Sequence, residues 1–366
     1  MPRFRSALAS LAVLSLGIAA APASAPARQC PAAVRGVTVD PRLTSLFTVH
    51  GNDNARVDDW TGGDGTYSLG LPGGRELWIF SDTFLGRVNA DGTRPQATVM
   101  LNNSFAVERA GRLATVHGGT AKRPAALMPP RGRDHWFWAG DATLAGGIVE
   151  VTYQEYARRT HDLDWRWRRN VLARFAPGRL ARPIGVHGLP SGRGVAWGSG
   201  ILEDGGHTYV YGVEDLGSSK YMHLARVGGG SLLGRWEFRT AGGSWSADEA
   251  DSARLMSGVA NEYSVTRVGS GYVLITHDTS EPLSANIVAY SSCSPAGPFT
   301  GRQHVYTTPE TRGNVFTYNA HAHPGVPGPG LVVSYNVNSL AHTDHYHDVS
   351  LYRPRFLNVR LAALPE

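Results

Sequence analysis

Residues 62–86, GGDGTYSLGLPGGRELWIFSDTFLG, read as a β-hairpin. Two arms rich in aromatic and branched residues, 66–71 and 76–80, meet at Pro72-Gly73-Gly74, and Gly and Pro bound both arms. A three-residue turn centred on Gly73 sets Asp64 and Asp82, nine residues to either side, opposite one another at the hairpin base. Directly paired residues hold their Cβ atoms roughly 4.5–5.5 Å apart, where two carboxylates repel. A fold selected for stability alone avoids that arrangement, so the pair is a candidate site. Each Asp alone also suits a turn, since Asp caps turns through its own side chain.

The same strand–turn–strand pattern recurs down the chain. It is read in 138–156 (WAGDATLAGGIVEVTYQEY), 197–215 (WGSGILEDGGHTYVYGVED), 261–279 (NEYSVTRVGSGYVLITHDT) and 319–338 (NAHAHPGVPGPGLVVSYNVN). The five turns fall near 73, 146, 205, 270 and 329, at separations of 73, 59, 65 and 59 residues. Repeats of this length, with linking strands between, predict an all-β chain folded as a five-bladed β-propeller. No long stretch shows a 3.6-residue apolar period, which argues against an α/β fold. Residues 30–60, rich in Asn and Asp, read as an irregular surface loop, and 348–361 as a last strand that pairs with the N-terminal region.

The first 29 residues read as an export signal. Arg3 and Arg5 precede an apolar run over 11–21 and then small residues, while Ala27-Arg28-Gln29 before Cys30 is no lipobox. The apolar run is too short to span a bilayer. The expectation is a secreted, monomeric protein whose propeller domain occupies 30–366. The charge balance of 35 Lys and Arg against 30 Asp and Glu contains no basic run that implies nucleic acid. Two cysteines, Cys30 and Cys293, allow a single disulfide in an exported chain.

Propeller ligands bind at one mouth of the central channel, at like positions of successive blades. Aligning the turns makes Asp64, Asp141, Ser199, Glu262 and His321 equivalent. Glu262 and Asp278 flank Ser270 at eight residues to either side, repeating the first hairpin's facing acids. Crowded carboxyl groups drive their pKa values apart, and glycoside hydrolysis needs one carboxyl group as acid and another as base or nucleophile. The candidate catalytic residues are therefore Asp64, Asp82, Asp141 and Glu262. Asn103, Asp278, His321, His323 and Asn336 are the candidates for contacting substrate. His321 and His323 share a strand face, a spacing that suits either a metal or a hydrogen-bonded channel. Trp60, Trp136 and Trp138 are candidate sugar platforms as well as candidate core. Among Gly-rich phosphate loops, G-x-S-x-G elbows and zinc-protease helices, none is present.

The opening motif, followed by LNNSF, NEYSV and YNAHAHPG…LVVSYNVNS, resembles a group of secreted bacterial proteins. These are similar to five-bladed-propeller glycoside hydrolases, including endo-acting enzymes that cut the D-arabinan of mycobacterial envelopes. The resemblance runs from about Asp53 to Leu361. It implies a glycoside hydrolase acting on a furanose-containing polysaccharide such as an arabinan, with Asp64 and Asp82 as its acids. Arabinanase- and fructosidase-like propellers carry Asp, Asp and Glu on successive inner strands. Here Ser199 stands in the third unit and the Glu arrives in the fourth, as Glu262. His321 is similar to the histidine that helps hold a central calcium in such arabinanases. A non-catalytic carbohydrate-binding propeller is the competing reading.

Overall fold

The computed structural model describes residues 33–130, 132, 134–160 and 164–362. The predicted signal at 1–29 and Cys30 lie outside them. Cys293 is disulfide-bonded, and the sequence holds one other cysteine.

The described chain is all-β apart from three short helical segments. Five antiparallel sheets of four or more strands follow one another along it, beside two smaller sheets of two and three strands. The first is Tyr67–Leu71, Arg75–Phe80, Ser104–Arg109 and Arg112–Val116; the second is His135–Ala145, Ile148–Arg158, Trp165–Phe175 and Gly185–Gly188. The third opens on Ala196–Asp204, His207–Asp215, Lys220–Gly228 and Trp236–Arg239, and the fourth is Tyr263–Val268, Gly271–His277, Asn286–Ser292 and Thr300–Thr307. The fifth joins Val315–His323, Leu331–Ser339 and Arg355–Ala362 to the N-terminal strand Ala33–Val39. That last pairing ties the two ends of the described chain together.

Each sheet is covered on both faces, which is why strands such as Gly271–His277 are buried throughout instead of alternating. Five apolar clusters fill the spaces between sheets one and two, two and three, three and four, four and five, and five and one. The first strands of the sheets touch in the same cyclic order. They therefore line a common axis, and residues near their starts converge at one end of it.

Turn chemistry sets the registers. In the first hairpin Leu71 pairs with Arg75 across three residues, and the register runs on through Tyr67–Ile79 and Gly63–Thr83, so Asp64 does face Asp82. The second and third hairpins turn on Gly146-Gly147 and Gly205-Gly206, all at positive φ as two-residue turns demand. The fourth also has a two-residue turn, Gly269-Ser270, with Val268 opposite Gly271. The expected three-residue turn is thus corrected, and the facing of Glu262 and Asp278 fails with it.

A second correction concerns 30–60. Pro41–Asn52 is an α-helix, started by Asp40, whose carboxylate accepts the Leu43 N–H at 2.9 Å, with Pro41 in the first turn. Leu43 and Phe47 bury one face; Phe47 packs on Trp60, Trp78, Phe80 and Phe356. Trp60 is accordingly core between sheets five and one and no sugar platform.

Candidate active site

At the end where the first strands begin, all five sheets contribute to one cavity of about 200 Å³. Asp64, Tyr67 and Ser81 come from the first, Trp138, Gln154 and Tyr156 from the second, Ser199 from the third, Glu262 from the fourth, and Tyr318 and Asn319 from the fifth.

Asp64 sits where the chain passes between two strands. Its N–H donates to the Asp82 carbonyl at 3.1 Å and its carbonyl accepts the Ser81 N–H at 2.8 Å, which fixes the backbone. Its Oδ2 accepts two phenol hydroxyls, Tyr318 at 2.6 Å and Tyr352 at 2.9 Å. The Asn338 amide donates to the Tyr318 oxygen at 3.0 Å and orients it. Oδ1 of Asp64 has no partner among the described residues. Burial, then the neighbouring Asp82 charge, push the Asp64 carboxyl up to about 7, against the pull of the two hydroxyls. Tyr352 and Asn319 both hold left-handed backbone, at φ 68° and 55°. Strained residues of this kind cluster where geometry serves a site.

Glu262 precedes the first strand of the fourth sheet, and its Oε2 is also buried with no partner among the described residues. Burial and the Asp64 charge raise its carboxyl well above the usual range, opposed by the Tyr67 hydroxyl. Two carboxyl groups from different sheets therefore each hold a buried oxygen that no described residue satisfies. Asp82 faces Asp64 along the backbone, but its side chain turns aside. Its Oδ1 accepts Asn102 Nδ2 and Trp138 Nε1, both at 2.9 Å. Burial raises it as well.

Asp141 and His321 belong to a different cavity, of about 290 Å³, on the far side of Tyr67. The Tyr67 ring lies edge-on to His321 at 4.6 Å. The reason is local. The first strands of sheets two, three and five carry bulges at 139–142, 197–200 and 318–321, and a bulge re-aims the side chains beyond it. Asp141 Oδ1 accepts the Ala142 N–H at 2.8 Å and Oδ2 the Ile201 N–H at 2.7 Å, which hold it away from Asp64 and Glu262. Burial still lifts it to about 7. His321 Nε2 lies 3.9 Å from Asp141, and burial lowers the imidazole to about 3.

Four other expected contact residues serve the scaffold. Asn103 donates to the Met128 and Phe137 carbonyls and accepts the Met128 N–H, all within 3.1 Å. His323 is buried between the hydroxyls of Ser68 at 2.9 Å and Ser334 at 2.8 Å, so both ring nitrogens are engaged. Asp278 pairs with Arg302 at 2.8 Å, a consequence of the two-residue turn. Asn336 donates to Thr66 Oγ1 at 2.9 Å and braces the segment after Asp64. A central calcium does not fit these residues: the Asp141 oxygens hold backbone N–H groups, and among the described residues no three His, Cys, Asp or Glu converge. Tyr67, Tyr156, Tyr318 and Tyr352 escaped the sequence reading. Tyr318 and Tyr352 lie 254 and 288 residues from Asp64. Only the YNAHAH motif pointed toward Tyr318.

A family model described as "Domain of unknown function (DUF5005)" matches residues 52–361. A proposed hydrolase from Bacteroides ovatus superposes with a TM-score of 0.73 at 22% identity, over 88% of this chain and 90% of that one. The catalytic domain of the Coprinopsis cinerea GH62 α-L-arabinofuranosidase gives 0.49 at 10% identity, over 83% and 93%. The GH43_1 enzyme of Xanthomonas citri complexed with xylose gives 0.45 at 14%, over 88% and 93%. No curated protein matches the sequence. Among the described residues no helix is long and apolar enough to cross a membrane.

Proposed function

The chain belongs to the DUF5005 family, and we propose that it is a glycoside hydrolase built as a five-bladed β-propeller. The cyclic packing of five sheets supports the architecture. One observation carries the chemistry: Asp64 and Glu262, from different sheets, line one cavity, and each keeps a buried carboxyl oxygen with no partner among the described residues.

Glu262, its carboxyl raised well above the ordinary range by burial and the Asp64 charge, is the proton donor. It protonates the glycosidic oxygen as the bond from that oxygen to the anomeric carbon breaks. Asp64, held toward the ionised form by Tyr318 and Tyr352, is the carboxylate. It either takes a proton from the water that attacks the anomeric carbon, or itself bonds to that carbon in a glycosyl ester. A water deprotonated by Glu262 then cleaves that ester and releases the Asp64 carboxylate; in both cases the water's oxygen ends on the anomeric carbon. Asp82 acts on Asp64 through its charge. The sequence resemblance supports a furanose-containing polysaccharide, an arabinan of cell-envelope origin, as substrate. In the same reading residues 1–29 export the protein and 30–366 form one domain working outside the cell.

The test is product analysis on arabinogalactan, lipoarabinomannan and plant arabinan. The native protein is expected to release oligosaccharides, and Asp64→Asn and Glu262→Gln each to lower the rate at least about a hundredfold, the scale of a lost acid or base. Near-native rates in both variants would remove the assignment. Retention of polysaccharide with no product from the native protein would instead favour a binding module.

A further inference from the structure

The cavity between Asp64 and Glu262 is smaller than the roughly 300–1,000 Å³ of sites that enclose drug-sized ligands. It has room for a single sugar ring. The rest of a polysaccharide must lie outside it, and one side of the rim is built from aromatic rings. Trp138 and Tyr156, which wall the cavity, pack with ring centroids 4.6 Å apart. Trp136 stacks on Tyr156 at 6.3 Å with planes 15° apart. Trp165 meets Trp138 at 5.8 Å and Trp136 at 6.3 Å, edge to face, and is 39% exposed. Asp215, whose charge acts on the Tyr156 hydroxyl, stands on the neighbouring third sheet beside Lys220 at 3.3 Å.

We infer that Trp165, supported by Trp136, Trp138 and Tyr156, seats the sugar bonded to the one held in the cavity. This rests on the reading of the cavity as a glycoside site. Trp138 and Tyr156 belong at once to the cavity wall and to the aromatic group, so the surface is continuous with the chemistry. A sugar ring offers an apolar C–H face that an exposed indole covers, and hydroxyls at its edge that a neighbouring acid such as Asp215 accepts. Trp165 is held in place by edge contacts to rings that are themselves anchored: the Trp138 indole N–H is fixed on Asp82. It is thus preorganised, and stacking on it orders no side chain.

The test uses α-arabinofuranosyl oligosaccharides of one to four units. They are titrated by tryptophan fluorescence and calorimetry into the Glu262→Gln protein, alone and combined with Trp165→Ala or Trp165→Phe. The second unit is expected to tighten binding about tenfold, the scale of a well-placed aromatic contact. Trp165→Ala removes that gain without changing single-unit binding, whereas Trp165→Phe keeps most of it. A gain that survives Trp165→Ala, no gain from a second unit, or no binding of any member overturns the inference. Product release by the native protein is scored separately. Chain-length-dependent binding without product sinks the hydrolase reading and leaves the subsite; product without that dependence does the reverse.

Discussion

Removing the hydroxyls that hold Asp64 gives the sharpest test of its role. Tyr318→Phe and Tyr352→Phe each delete one O–H donor to Asp64 Oδ2, at 2.6 and 2.9 Å, and leave the ring in place. A hydrogen bond to a charged group contributes about 1.5–3 kcal/mol. Water in the open cavity replaces part of that, so about 1.4 kcal/mol survives, which is one pKa unit. The hydroxyls favour the ionised carboxylate, so their loss moves the Asp64 pKa upward. As base or nucleophile Asp64 must be ionised, and the acid limb of kcat/KM against pH should climb by about one unit in each single variant and further in the double variant. The assay is reducing-sugar release between pH 4 and 9, with a thermal melt to confirm folding. An unmoved acid limb in folded variants refutes the assignment. A shift of the alkaline limb instead makes Asp64 the protonated acid and exchanges its role with that of Glu262.

Three further outcomes follow from the same geometry. Asp82→Asn removes the charge that raises Asp64 and should move the acid limb the other way, toward lower pH, by about one unit. Asp64, Asp141 and Glu262 all have folded pKa values above those of the unfolded chain. The folded state therefore binds more protons between the ordinary carboxyl range and about 7, and stability falls as pH rises through that window. Asp64→Asn should raise the melting midpoint by about 3–6 °C at pH 8 and by little at pH 4, as read by calorimetry across pH. Gly198 holds φ +103°, and a Cβ there would collide with the Thr152 hydroxyl. Gly198→Ala should destabilise by about 2–4 kcal/mol in urea unfolding, with the third sheet's bulge as its cause.

Periodicity and turn residues carried much of the architecture. Gly-rich turns and runs of branched and aromatic residues announced strands because those residues satisfy backbone rules within a few positions of themselves. The Asp64–Asp82 facing was legible for the same reason: a three-residue turn at Gly73 fixes the register on both sides. The helix at Pro41–Asn52 was not legible: Asp40-Pro41 and the spacing of Leu43 and Phe47 support it, but the Asn- and Asp-rich stretch around them reads as a loop.

The site itself was settled by the tertiary structure. Shortening one turn by a residue, at Gly269-Ser270, shifts the pairing and sends Asp278 to Arg302 instead of toward Glu262. Bulges in three first strands set Asp141 and His321 beyond Tyr67, although the repeat makes them equivalent to Asp64 in the chain. The hydroxyls that tune Asp64 come from the far end of the sequence, where no local pattern marks them. Local backbone chemistry has a range of a few residues and is written in the sequence. Which carboxyl oxygens meet, and which remain unsatisfied, depends on contacts made only when the fifth sheet packs against the first.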